Sequence, residues 1–186
     1  MVFPEEIYTL KDGRTILLRP PLTGDAEVCI AFLKDVGGET DFLLCDKDGI
    51  PGLTLEGEEN YLAASRVDPH IAMYLGLVEG KLAAVFDVRP LSRPRIAHVG
   101  LVSLSVRKAY WGNGIGALAM ETMVAYAKGT DALRSLTLEV REGNDRAIAL
   151  YERFGFRPVG RHKGRIRVGD AYYDEILMDL ELTEWT

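Results

Sequence analysis

The sequence predicts a mixed α/β fold, a single and mostly antiparallel sheet of about seven strands with about four helices packed on it. Three observations carry that prediction. "IAMYLGLVEGKLAAVFDVRP" is two apolar runs joined at Glu79-Gly80, the signal for a tight hairpin, and "RIAHVGLVSLSV" follows as a third long run. Two helical patterns, Gly114 to Lys128 and Asp145 to Phe154, flank the short apolar strand "SLTLEV". The chain then closes on two strand-like runs, about Arg157 to Val168 and Ala171 to Leu180, joined by Gly169-Asp170.

Ahead of this meander, "GRTILLRP" reads as a strand ended by Pro20 and Pro21, and "GDAEVCIAFLKDVGG" as a helix. Cys29, Phe32, Leu33 and Val36 share one face of that helix, with Thr23 as its cap and Gly37-Gly38 as its stop. Glu39 to Gly57 mixes apolar residues with Asp, Gly and Pro and reads as irregular; Glu58 to Val67 reads as a short second helix. The helix from Gly114 to Lys128 is apolar on nearly all sides, with only Glu121 and Lys128 charged, which predicts burial. In the last helix Asn144 stands at the cap and Gly155 at the stop.

The chain has 186 residues, 47% hydrophobic and 27% charged, which fits one domain over 1–186 with a proper apolar core. Met1 to Leu10 contains Glu5 and Glu6 and lacks both the basic start and the apolar run of a leader. No apolar run reaches membrane length, so the expected location is the cytoplasm, with no membrane partner. A net charge of −6 argues against binding nucleic acid by phosphate neutralisation. The two cysteines, Cys29 and Cys45, sit in apolar surroundings without CxxC spacing, and no histidines or acids fall at ligand spacing. Neither a disulfide nor a metal is expected.

"AYWGNGIGALAM" is the stretch that points to chemistry. A strand ending at Val106 leads through a turn into a helix that begins at three glycines, Gly112, Gly114 and Gly116. The first turn of a helix has unpaired N–H groups and a positive dipole end, and removing Cβ atoms lets an anion approach them. The reading is a pyrophosphate site. Gly112, Gly114 and Ala117 also satisfy the G-x-G-x-x-G/A spacing of a dinucleotide site, with Glu139 about where a ribose-binding acid would stand. Against that alternative, "RKAYW" separates the strand from the first glycine, and the preceding elements form a meander in place of βαβ units.

Taken together, "LSVRKAYWGNGIGALAM" and "LEVREGNDRAIALYERFGF" resemble the two signature blocks of the GNAT superfamily of N-acetyltransferases. The resemblance implies a sheet splayed between the strand ending at Val106 and "SLTLEV", with acetyl-CoA held there. It implies that the main chain of Leu104, Ser105 and Val106 pairs with the pantetheine arm. The amides of Gly112, Asn113, Gly114, Ile115, Gly116 and Ala117 would hold the pyrophosphate, and Asn144 would hydrogen-bond the pantetheine. Trp111 departs from the pattern, since the family often has Gln or Arg there.

Acetyl transfer needs a neutral amine and expels a thiolate of pKa about 8.5, so it needs a base for the amine and gains from an acid at the sulfur. By resemblance, Tyr151 is the acid. Glu139 is the base, as in the similar ribosomal-protein N-terminal alanine acetyltransferases; a solvated strand-end charge or a partner for Arg141 is the alternative. His98, on the third meander strand, is a further candidate base, whereas His70 and His162 read as surface residues. Amine binding falls to Glu39 to Gly57, to the acidic "EGEEN" and to Tyr172, Tyr173 and Asp174. The acceptor is a small-molecule amine or a peptide N-terminus, attacked directly, since neither cysteine lies in the signature blocks. A silent acyl-CoA-binding module and an NAD(P)-dependent oxidoreductase are the readings from other classes. The resemblance allows a homodimer without requiring one.

Overall fold

A computed structural model describes residues 5–182; the first four residues of the segment read above for a leader lie outside it. Among the described residues the order is β1 (Glu6–Thr9), β2 (Thr15–Arg19), α1 (Ala26–Glu39), α2 (Leu55–Val67), β3 (Ala72–Val78), β4 (Lys81–Pro90), β5 (Val99–Val106), α3 (Ile115–Lys128), β6 (Ser135–Arg141), α4 (Asp145–Arg153), β7 (Arg157–Val168) and β8 (Ala171–Glu181). The strands form one open sheet of eight in the order β1-β2-β3-β4-β5-β6-β8-β7. No helix among the described residues is long and apolar enough to cross a membrane.

The eighth strand is β1, which the sequence reading missed. Its four residues, "EIYT", are exposed at three positions, with Ile7 at 72%, so no buried face repeats along them. What makes them a strand is pairing with β2, from Glu6↔Leu18 to Thr9↔Thr15. The third meander strand is shorter than expected. Pro94–Ile96 form a 3-10 turn and β5 starts only at Val99, which leaves His98 in the preceding turn with its carbonyl accepting from Arg134 N at 2.8 Å. His98 therefore precedes β5 instead of lying on it.

The chain divides into two compact units, the chain up to Asp87 with Leu104–Gly116, and Val88–Ser103 with the chain from Ala117 onward. In the first unit α1 and α2 bury Cys29, Phe32, Val36 and Leu62 with Met73 and Leu75 of β3 and Leu82 of β4. Each large apolar side chain removed from water in this way contributes about 1.5–3 kcal/mol. Gly37 and Gly38 do not stop α1, which runs on to Glu39. Gly37 has a different task. A Cβ there would clash with the Asp46 carbonyl and lie 2.9 Å from its Cα, so the loop backbone after α1 packs directly on the helix. Gly37→Ala should lower stability by about 1–3 kcal/mol through overpacking; an unchanged melting temperature would show that the loop yields freely. Helix α2 begins three residues earlier than expected because Thr54 caps it, its hydroxyl accepting from Gly57 N at 3.1 Å.

In the second unit β5 pairs in parallel with β6 only over Val99↔Ser135, Gly100↔Leu136 and Leu101↔Thr137. The ladder stops there, while β6 stays paired antiparallel to β8 as far as Arg141↔Glu175. Leu136, Leu138 and Val140 point to one side of β6 and are buried, as are Met178 of β8 and Phe156. With β1 to β6 in sequence order and antiparallel pairs at β1–β2, β2–β3, β6–β8 and β7–β8, this sheet is not the doubly wound sheet of a dinucleotide fold.

Candidate active site

The turn from β5 to α3 is held on every side by residues of its own unit. Arg107 reaches back to α1, with its guanidinium 2.8 Å from Asp35 and 3.2 Å from Glu39. The other oxygen of Glu39 accepts from Lys108 N at 2.7 Å. Arg107 N donates to Ala83 O of β4 at 2.9 Å, and the Arg14 guanidinium lies 4.9 Å from the centre of the Tyr110 ring. From the β1–β2 turn, Lys11 N donates to Asn113 O at 3.2 Å. None of these ties has a local sequence signal, because the partners stand up to 102 positions apart (113 − 11 = 102).

Within the frame, Gly112 and Gly114 adopt φ of +82° and +95°, a region open to glycine and poorly tolerated by other residues. A Cβ on Gly112 would meet nothing within 4 Å, so the turn offers its backbone to open space there. Helix α3 starts at Ile115, directly after Gly114, and the N–H groups of its first turn have no partners within the helix. The expectation of three bare glycines is thereby refined: two set the turn, and Gly116 lies inside the first helical turn with Ile115 and Ala117. The arrangement fits a pyrophosphate, combining amides left over by the helix, a positive dipole end and open space before Gly112.

Leu104, Ser105 and Val106 are half-buried at the end of β5. Trp111 closes the turn on itself, its Nε1 donating to Val106 O at 2.7 Å. The residue that departs from the expected Gln or Arg is thus a brace, and it occupies the Val106 carbonyl that the sequence reading left for a ligand.

The remaining expected groups lie in the second unit. Asn144 caps α4, with Oδ1 accepting from Ala147 N at 3.4 Å; that bond turns the amide so that Nδ2 is the donor left over. Tyr151, in the last turn of α4, is half-buried with its ring 6.1 Å from Phe156. Burial pushes the phenol up to about 12, so it keeps its proton throughout the physiological range. Glu139 is exposed on β6, with its main chain in register with Leu177. Two positions on, Arg141 is buried with its guanidinium 3.5 Å from the centre of the Tyr173 ring.

The residues expected to bind an amine divide. Asp174 is already engaged: Gly164 N donates to one oxygen at 2.8 Å and Arg161 to the other at 2.9 Å, and these bonds hold its carboxyl below the usual range. Of "EGEEN", Glu58 is buried, which raises its carboxyl, while Glu56 is exposed and Glu59 half-buried. His162 pairs with buried Glu175 at 3.0 Å. Neither cysteine is poised as a nucleophile. Burial drives the Cys29 thiol up to about 12, and Cys45 is half-buried and raised as well.

A family model described as "Acetyltransferase (GNAT) family" matches residues 43–156. Over 95 residues the chain is 34% identical to the N-alpha-acetyltransferase RimI of Mycobacterium tuberculosis, a match covering 50% of this chain and 58% of that protein. The chain thus spans little more than half the length of that curated relative. A crystal structure of a GNAT-family acetyltransferase from Streptococcus pneumoniae superposes with a TM-score of 0.83 at 32% identity, covering 89% of this chain and 98% of that one. RimL, a ribosomal L7/L12 alpha-N-protein acetyltransferase solved in complex with coenzyme A, shares the fold with a TM-score of 0.71 at 16% identity, covering 95% and 98%.

Proposed function

The chain belongs to the acetyltransferase (GNAT) family, and on that premise we propose that it is an acetyl-CoA-dependent N-acetyltransferase acting on a primary amine. The observation that carries the reading is the braced turn, with two left-handed glycines directly before the first amides of α3. In this reading 1–186 is one acetyltransferase domain, and the amides from Gly112 to Ala117 take the pyrophosphate. The Asn144 Nδ2 and the main chain of Leu104 and Ser105 with Val106 N orient the arm, Val106 O being held by Trp111. Bound acetyl-CoA supplies an acyl group already activated as a thioester.

Glu139, carboxylate in solvent, removes the proton of the attacking amine, directly or through water. Tyr151 holds its own proton until the carbon–sulfur bond breaks and then gives it to the departing sulfur, recovering one from solvent afterwards. As the C–N bond forms and the C–S bond breaks, one proton leaves the amine and one reaches the thiol, so no acyl-enzyme is required. Likeness to RimI favours a peptide N-terminus as acceptor over a small amine. That choice also suits the chemistry, because an α-amine has a pKa of about 8 against about 10.4 for a lysine amine and is far easier to neutralise.

Calorimetric titration with acetyl-CoA, and separately with NADH and NADPH, tests the cofactor; thiol release across a panel of peptides and amines tests the acceptor. Binding of a dinucleotide alone would overturn the reading. For the base, Glu139→Gln should lower kcat/KM roughly 10²-fold near neutral pH, and the deficit should shrink as pH rises and the amine loses its proton unaided. A deficit constant across pH would assign Glu139 to positioning.

A further inference from the structure

We propose that Lys11, in the turn between β1 and β2, is a phosphate-binding residue of the cofactor site; the inference rests on the acetyl-CoA reading above. A pyrophosphate brings about two negative charges, one per phosphate. The N-terminus of α3 offers only about half a positive charge. A cation nearby is therefore called for, and most of those beside the turn are committed. Arg107 is held by Asp35 and Glu39, and Arg14 by Asp12 at 2.6 Å and by the Tyr110 ring.

Lys11 is differently placed. It is exposed, and among the described residues no carboxylate is paired with it. Its backbone is fixed to the turn by the bond from its N–H to Asn113 O at 3.2 Å. Its side chain runs along the glycine: Cγ and Cε lie 3.9 and 3.8 Å from the point that a Cβ on Gly114 would occupy. The ammonium is one bond further on, within reach of an anion held by the amides of this turn. A flexible, compact cation anchored at its own backbone suits this task, adding a charge-assisted hydrogen bond without blocking the cradle.

The test compares Lys11→Ala, Lys11→Arg and the unaltered chain in calorimetric titrations with acetyl-CoA and coenzyme A at several salt concentrations. A parallel assay measures thiol release from S-acetylpantetheine, a donor without the nucleotide phosphates. Lys11→Ala should bind acetyl-CoA about tenfold more weakly with a shallower salt dependence, and Lys11→Arg should recover most of the loss. Turnover with S-acetylpantetheine should not change. Equal acetyl-CoA affinity in Lys11→Ala, or an equal loss with both donors, would overturn the assignment. Failure of the unaltered chain to bind acetyl-CoA would instead overturn the cofactor reading beneath it.

Discussion

Gly114→Val is expected to abolish acetyl-CoA binding, lowering affinity more than about 100-fold while the protein stays folded. The reason is conformational. At φ of +95° a β-branched residue is strained by roughly 1–3 kcal/mol, and the turn relieves that strain by flipping away from the left-handed region. A flipped turn no longer aims the amides of Ile115 and Gly116 at one point. Space is not the obstacle, since the nearest atoms to a Cβ at this position are Lys11 carbons at 3.8 and 3.9 Å. Gly114→Ala should therefore lie between the native chain and the valine variant. Calorimetry measures the affinities and circular dichroism checks the fold. Normal binding by a folded valine variant would place the phosphate site elsewhere.

Tyr151→Phe is expected to lower kcat by about 10²-fold or more, the usual worth of a positioned acid, and to leave the Kd for acetyl-CoA within about twofold. The substitution keeps the ring, and with it the packing against Phe156, and removes only the hydroxyl. A phenol near 12 is a weaker acid than a free thiol at about 8.5 in water. The comparison belongs inside the protein, however. Burial penalises a thiolate as it does a phenolate, and in this chain it drives the Cys29 thiol to about 12 as well. A thiolate expelled beside the buried phenol is penalised in the same direction, which narrows the gap for transfer of the phenolic proton. The raised phenol also fixes a pH signature. The acid form is complete below about pH 10 and is lost only as pH climbs through about 12, so any alkaline fall in rate at lower pH belongs to another group. An unchanged kcat in Tyr151→Phe would withdraw the acid assignment.

The parts of the fold legible in the sequence were those encoded by neighbours. The Glu79-Gly80 hairpin, the Asn144 cap with its Gly155 stop and the apolar helix after the glycines each follow from residues a few positions apart. Strand β1 was illegible because its order comes from β2, and its own side chains are mostly in solvent. Gly37 looked like a helix stop, yet its small size serves a loop nine positions later. The candidate site shows the same division. Its glycines could be read, whereas Asp35, Glu39 and Lys11, which hold or flank the turn, are brought there only by folding.

Arg107 has a further consequence. Through Asp35 and Glu39 it fastens the glycine turn to the last stretch of α1, and Gly37 seats the following loop on that same stretch. Turn and loop therefore share one support, the last stretch of α1. If a molecule bound at the loop tightens the grip on a nucleotide through that support, the nucleotide must favour that molecule by the same factor.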